Sequence, residues 1–203
     1  MRRVALAALV LCSLPGSSLP VSGAEGLLGY YRQAALHGDT IVFNAESDLW
    51  KVPVEGGTAR RLTTHLERER FPCISPDGKT VAFTASYDGT HEIYLMPLEG
   101  GRPVRLIHEG VSGRRGPKPV SWKSNRELVY ATWYFAVRDT HQLAILDIES
   151  RRKRVVPLSQ ASDGEFSDDG ETLFFTRLPR QASFAKRYRG GFIENLWRFR
   201  TGE

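Results

Sequence analysis

Ser75-Pro76-Asp77-Gly78-Lys79-Thr80-Val81-Ala82-Phe83 leads, past residues 84–91, into Glu92-Ile93-Tyr94-Leu95-Met96-Pro97-Leu98-Glu99-Gly100-Gly101. The Asp-Gly pair tolerates the positive φ of a tight turn, and it feeds directly into a β-branched and aromatic run that reads as a strand. The second segment reads as another strand, closed by a Gly-Gly turn. Recurrence of this pattern elsewhere in the chain decides the architecture.

The pattern recurs in Gly38-Asp39-Thr40-Ile41-Val42-Phe43, in Ser124-Asn125-Arg126-Glu127-Leu128-Val129-Tyr130 and in Asp169-Gly170-Glu171-Thr172-Leu173-Phe174-Phe175. The closing aromatics Phe43, Phe83, Tyr130 and Phe175 fall 40, 47 and 45 residues apart, a spacing typical of propeller blades. The second strand recurs too. Asp48-Leu49-Trp50-Lys51-Val52-Pro53-Val54-Glu55-Gly56-Gly57 aligns without a gap on residues 92–101, and Leu143-Ala144-Ile145-Leu146-Asp147-Ile148-Glu149-Ser150 and Leu196-Trp197-Arg198-Phe199-Arg200-Thr201-Gly202 supply the third and fourth copies. Residues 59–63, 103–107 and 154–158 are expected as short outer strands, with none in the fourth copy, and segments such as 71–75 and 120–122 as the strands preceding each first turn. The fold class expected is therefore all-β: a partial β-propeller of about four four-stranded antiparallel blades, at about 28–64, 65–110, 111–160 and 161–203, the last incomplete. Such a blade cannot bury both faces alone and must stack on its neighbours around an axis. Trp50, Tyr94, Trp122 and Trp197, at repeated strand positions, are accordingly expected to pack rather than to serve as ligand platforms.

Upstream of the repeats, Arg2 and Arg3 precede an apolar run over residues 4–14, then Pro15, and then the small residues Ser22-Gly23-Ala24. This three-part pattern reads as a cleaved secretory signal over residues 1–24, with the mature propeller spanning 25–203. The run is too short to cross a bilayer core, so no membrane span is expected after cleavage, and a periplasmic or secreted location is. Leu11 stands before Cys12 where a lipoprotein signal requires a small residue. Loss of Arg2 and Arg3 leaves 26 basic against 23 acidic residues, a mildly basic chain. Its dense cluster, Arg151-Arg152-Lys153-Arg154, lacks interleaved aromatics and reads as a solvated turn, so no nucleic-acid partner is expected. Cys73 is the remaining thiol, which excludes an internal disulfide and reads as a small buried apolar residue.

No catalytic, cofactor-binding or metal-binding residue emerges. Gly110-Val111-Ser112-Gly113 lacks the spacing of a nucleophile elbow. His37, His65, His91, His108 and His141 are scattered through turns without metal-site pairing. Asp163-Gly164-Glu165 with Asp168-Asp169-Gly170 lacks the alternating ligands of a calcium loop and reads as a blade turn.

The Ser75–Phe83 and Glu92–Met96 segments resemble the blade motif shared by TolB-type propellers and the N-terminal propeller of tricorn peptidases. His37-Gly38-Asp39-Thr40-Ile41-Val42-Phe43 through Asp48-Leu49-Trp50, and Lys186-Arg187-Tyr188-Arg189-Gly190-Gly191 leading to Glu194-Asn195-Leu196-Trp197-Arg198-Phe199, resemble the start of a tricorn-type propeller in order and separation. The resemblance covers residues 28–203. It implies a propeller that filters or guides peptides toward a serine peptidase core following it in the long chains of that family, with the catalytic residues in that core. The sequence stops at Glu203, inside the turn before an expected last strand, so a truncated or split peptidase gene product without catalysis of its own is the expectation. Peptides are the implied partner. The alternative is a self-sufficient TolB-like periplasmic adaptor that binds another envelope protein. Open blade edges would in either case favour self-association.

Overall fold

The computed structural model describes residues 29–110, 116–135, 140–178 and 193–200. The expected signal over 1–24, Ser112 and the 186–191 segment lie outside the described residues. Fifteen strands follow in chain order: β1 Arg32–His37, β2 Thr40–Ala45, β3 Asp48–Pro53, β4 Arg60–Arg61, β5 Arg70–Ile74, β6 Thr80–Ala85, β7 Glu92–Pro97, β8 Val104–Arg105, β9 Lys118–Trp122, β10 Glu127–Thr132, β11 Gln142–Asp147, β12 Lys153–Val155, β13 Asp163–Phe166, β14 Thr172–Thr176 and β15 Leu196–Arg200. They form antiparallel sheets β1–β4, β5–β8, β9–β12 and β13–β15, each a simple meander. These are propeller blades, and the fourth has three strands among the described residues.

The register confirms the repeat alignment. Phe43 pairs with Trp50, Phe83 with Tyr94, and Phe175 with Trp197. The first turns also repeat in atomic detail. In the second blade the Ser75 hydroxyl donates to Asp77 Oδ1 at 2.6 Å, and the Lys79 and Thr80 N–H groups donate to Asp77 and Ser75. In the fourth, Ser167, Asp169, Glu171 and Thr172 reproduce the same bonds. Gly78 and Gly170, with φ of +68° and +71°, close these turns in the left-handed region that a Cβ disfavours.

Alternation along each strand assigns residues to opposite interfaces. Val81 and Phe83 of β6 join Val42 and Leu49 of the first blade, whereas Ala82 between them joins Leu128 and Tyr130 of the third. Val129 and Leu143 of the third blade in turn pack on Leu173 and Phe175 of the fourth. The core is thus three layers between blades rather than one centre.

Some expectations need correction. The outer strands β4, β8 and β12 are only two or three residues long. Asp163-Gly164-Glu165 is not a turn but lies in β13, paired with β14. The basic cluster is only partly a turn: Lys153 and Arg154 lie in β12, and the Lys153 ammonium reaches Glu109 at 2.6 Å. Tyr94 is core, and Trp122 packs at the second layer while its indole N–H donates to the Cys73 carbonyl at 3.1 Å. Trp50 is half-buried and donates to the Ala45 carbonyl. Trp197, however, is 46% exposed, although its pairing with Phe175 sets it on the face of β15 that packs toward the third blade.

Candidate functional site

Each blade contributes its first strand to the axis, where β1 neighbours β5, β5 neighbours β9, and β9 neighbours β13. Together they wall a groove of about 790 Å³. Ala34 to His37, Cys73, Trp122, Asp163 and Glu165 line it, giving an apolar floor with an acidic side. Lys118 holds Asp163 at 3.0 Å, and Glu165 is exposed. The Cys73 thiol is pushed up to about 12 by burial, with the Glu165 and Asp163 carboxylates adding to the effect. A thiolate nucleophile is therefore disfavoured there.

A second cavity of about 570 Å³ lies between the first two blades, lined by Arg32, Arg68, Arg70, Gln33, Glu46 and Ser47 among others. The first strands are bulged here, between Arg32 and Ala35 in β1 and between Arg70 and Cys73 in β5. Gln33 and Phe71 take positive φ at these bulges, and the Phe71 N–H donates to Gln33 Oε1 at 3.0 Å. A third cavity, about 810 Å³, contains Tyr87, Tyr94 and His65 beside the Asp88–Arg105 ion pair.

Buried carboxyls join the blades. Glu69, fully buried, accepts from Thr63 Oγ1 at 2.8 Å and from the Tyr87 hydroxyl at 2.6 Å. Asp48 is 1% exposed; Arg61 pairs with its Oδ2, while Oδ1 has no hydrogen-bond partner assigned. Burial pushes the Glu69 carboxyl up to about 7, against the Tyr87 and Thr63 hydrogen bonds, and the adjacent Asp48 carboxyl adds to the rise. At the next interface Glu109, also fully buried, accepts from Tyr130 and Thr132 and pairs with Lys153. Glu92 caps the link between these blades by accepting the Glu109 and Gly110 N–H groups at 2.9 Å.

The histidines do not converge. His37 lines the groove, His65 packs on Tyr87 at 4.2 Å, and His141 packs on Trp133 at 3.6 Å. Among the described residues no three His, Cys, Asp or Glu side chains are grouped to hold a metal. Neither the arginine cavity nor the buried carboxyls were legible in the sequence, because both arise from residues on different blades.

A family model described as the tricorn protease N-terminal β-propeller domain matches residues 28–203. Tricorn protease homolog 1 of Streptomyces coelicolor is 32% identical over 170 residues, covering 83% of this chain and 16% of that protein. A Sulfurisphaera tokodaii protein named "Putative Tricorn-like protease N-terminal subunit" is 24% identical over 173 residues, covering 80% of this chain and 83% of its own length. The crystal structure of the tricorn protease superposes with a TM-score of 0.72 at 21% identity, over 85% of this chain and 17% of that one.

Proposed function

The chain belongs to the tricorn protease N-terminal β-propeller family, and from that premise we propose that it is a non-catalytic propeller module that binds peptides and guides them to a peptidase core. The observation that carries this reading is the axial groove, walled by the first strands of all four blades. Its half-buried backbone and mixed apolar and acidic lining suit an extended peptide, whose side chains alternate between floor and solvent. The chain spans about one sixth of the length of its Streptomyces relative. The likeness to a protein named as an N-terminal subunit supports a core carried on a separate chain. The basic start, apolar run and small residues before Glu25 support export to the periplasm or beyond.

The test is incubation of the purified chain with a mixed peptide library, with capture and turnover read separately by mass spectrometry. Peptides are expected to be retained and recovered uncut. Cleavage that co-purifies with the chain and stops with a serine-reactive inhibitor would overturn the non-catalytic reading; absence of any capture would overturn the peptide reading. A TolB-like adaptor would instead retain a folded envelope protein and no peptide.

A further inference from the structure

We propose that the outer faces of the first and fourth blades are the two halves of one contact between copies of this chain, in which Arg198 of one copy pairs with Glu55 of another. The contact is independent of the peptide reading. Its first support is register. Strand alternation gives each blade two kinds of face. One carries the ladder pairs Phe83–Tyr94, Tyr130–Ala144 and Phe175–Trp197 and meets the blade before it. The other carries Val42–Lys51, Ala82–Leu95 and Val129–Ile145 and meets the blade after it. The first blade repeats the first kind of face with Phe43–Trp50, and the fourth repeats the second kind with Phe174–Arg198. Among the described residues no sheet packs on either of these two outer faces.

The second support is burial. Val42 and Leu49, at the ladder positions that Phe174 and Leu196 hold in the fourth blade, are 0% exposed beneath the second blade, against 43% and 74% for Phe174 and Leu196. On the opposite kind of face Phe83 and Tyr94 are buried, whereas their counterparts Phe43 and Trp50 are only half-buried and Leu36 beside them is exposed. Each end therefore leaves open the apolar surface that the other end's kind of face covers inside the molecule. The third support is charge. Lys51 crosses the first layer to Glu99 of the second blade at 2.9 Å. Arg198 holds the ladder position of Lys51, and Glu55 holds the position of Glu99 in the Glu-Gly-Gly turn repeated at 55–57 and 99–101. Both are exposed, and neither side chain has an ion partner among the described residues. Seating the fourth blade of one copy against the first blade of a second brings this cation and this acid together as Lys51 and Glu99 are, and removes Phe174 and Leu196 from water against Phe43 and Trp50. The contact joins two different faces, so it is heterologous, and every copy carries one of each.

Sedimentation velocity of the purified chain at low salt tests the assignment. The chain is expected to associate, and R198E and E55R are each expected to weaken association roughly fivefold or more, by setting like charges against each other. The R198E/E55R variant, in which the two charges are exchanged, should recover association to within about twofold. Both positions are exposed, so the thermal midpoints of all three variants should stay where they are. An equimolar mixture of R198E and E55R should associate more tightly than either variant alone, because the acid at 198 on one copy then faces the arginine at 55 on the other. A monomeric parent chain overturns the proposal. Association that both single reversals leave unchanged overturns it as well, by placing the contact elsewhere, and so does a loss that neither the exchanged variant nor the mixture recovers.

Discussion

Glu69 shows how far one residue's chemistry departs from its appearance in the sequence, where it is one acid in Glu67-Arg68-Glu69-Arg70. Flanked by arginines in the chain, it turns away from both, into a buried site beside Asp48. Its carboxyl is held up to about 7 against 4.5 in the unfolded chain. A raised acid binds its proton more tightly in the folded state, so the stabilisation is fully present below about pH 4.5 and is lost as pH rises through about 7. The loss amounts to on the order of 2–3 kcal/mol. Urea midpoints at pH 5 and pH 8 should fall accordingly, and Glu69→Gln, which cannot ionise, should flatten that dependence. An unchanged slope in the variant would show that other groups set it. Cys73 supplies a second check. With its thiol pushed up to about 12, alkylation by iodoacetamide at pH 8 should be far slower in the folded chain than in urea, as followed by peptide mass mapping.

At the scale of elements, side chains of one sheet hold the link that leads into it from the preceding blade. Lys153 rises from β12 to the fully buried Glu109, which also receives Tyr130 at 3.0 Å and Thr132 at 2.9 Å. Removing one partner of such a pair leaves the other unpaired in a low-dielectric layer. Lys153→Met should therefore destabilise the chain by about 2–3 kcal/mol, below the full cost of breaking a wholly buried pair because the lysine is partly exposed. Chemical denaturation measures this; a change under about 0.5 kcal/mol, the scale of an ordinary surface site, would mean that Glu109 is satisfied without it. The element scale also separates what could and could not be read in advance. Strand alternation and turn chemistry are local, so β2, β3, β6, β7, β10, β11, β14 and β15 follow from the repeat. Asp163 to Glu165 were misread as a turn because Asp and Gly favour turns locally, and pairing with β14 overrides that preference.

For the whole molecule, the described blades leave apolar surface at both ends of the arc. Leu36 is 64% exposed at the first blade, and Leu196 and Phe174 are 74% and 43% exposed at the fourth. A blade face needs a neighbour, and unpaired edges invite association. The purified chain should therefore show a mass above that of one copy in light scattering coupled to size exclusion. A strictly monomeric sample with one sharp thermal transition would contradict this and favour a self-sufficient adaptor. The sequence by itself determined the blade repeat, its turns and the family, since each depends on short-range periodicity and on φ preferences that no distant residue alters. Only the tertiary structure decided what surrounds each charged group. Stacking the blades brings Arg32 beside Arg70, Asp48 beside Glu69 and Lys153 onto Glu109. Their burial and partners depend on residues more than twenty positions away in the Asp48–Glu69 pair and more than forty in the Lys153–Glu109 pair, beyond the reach of any local pattern.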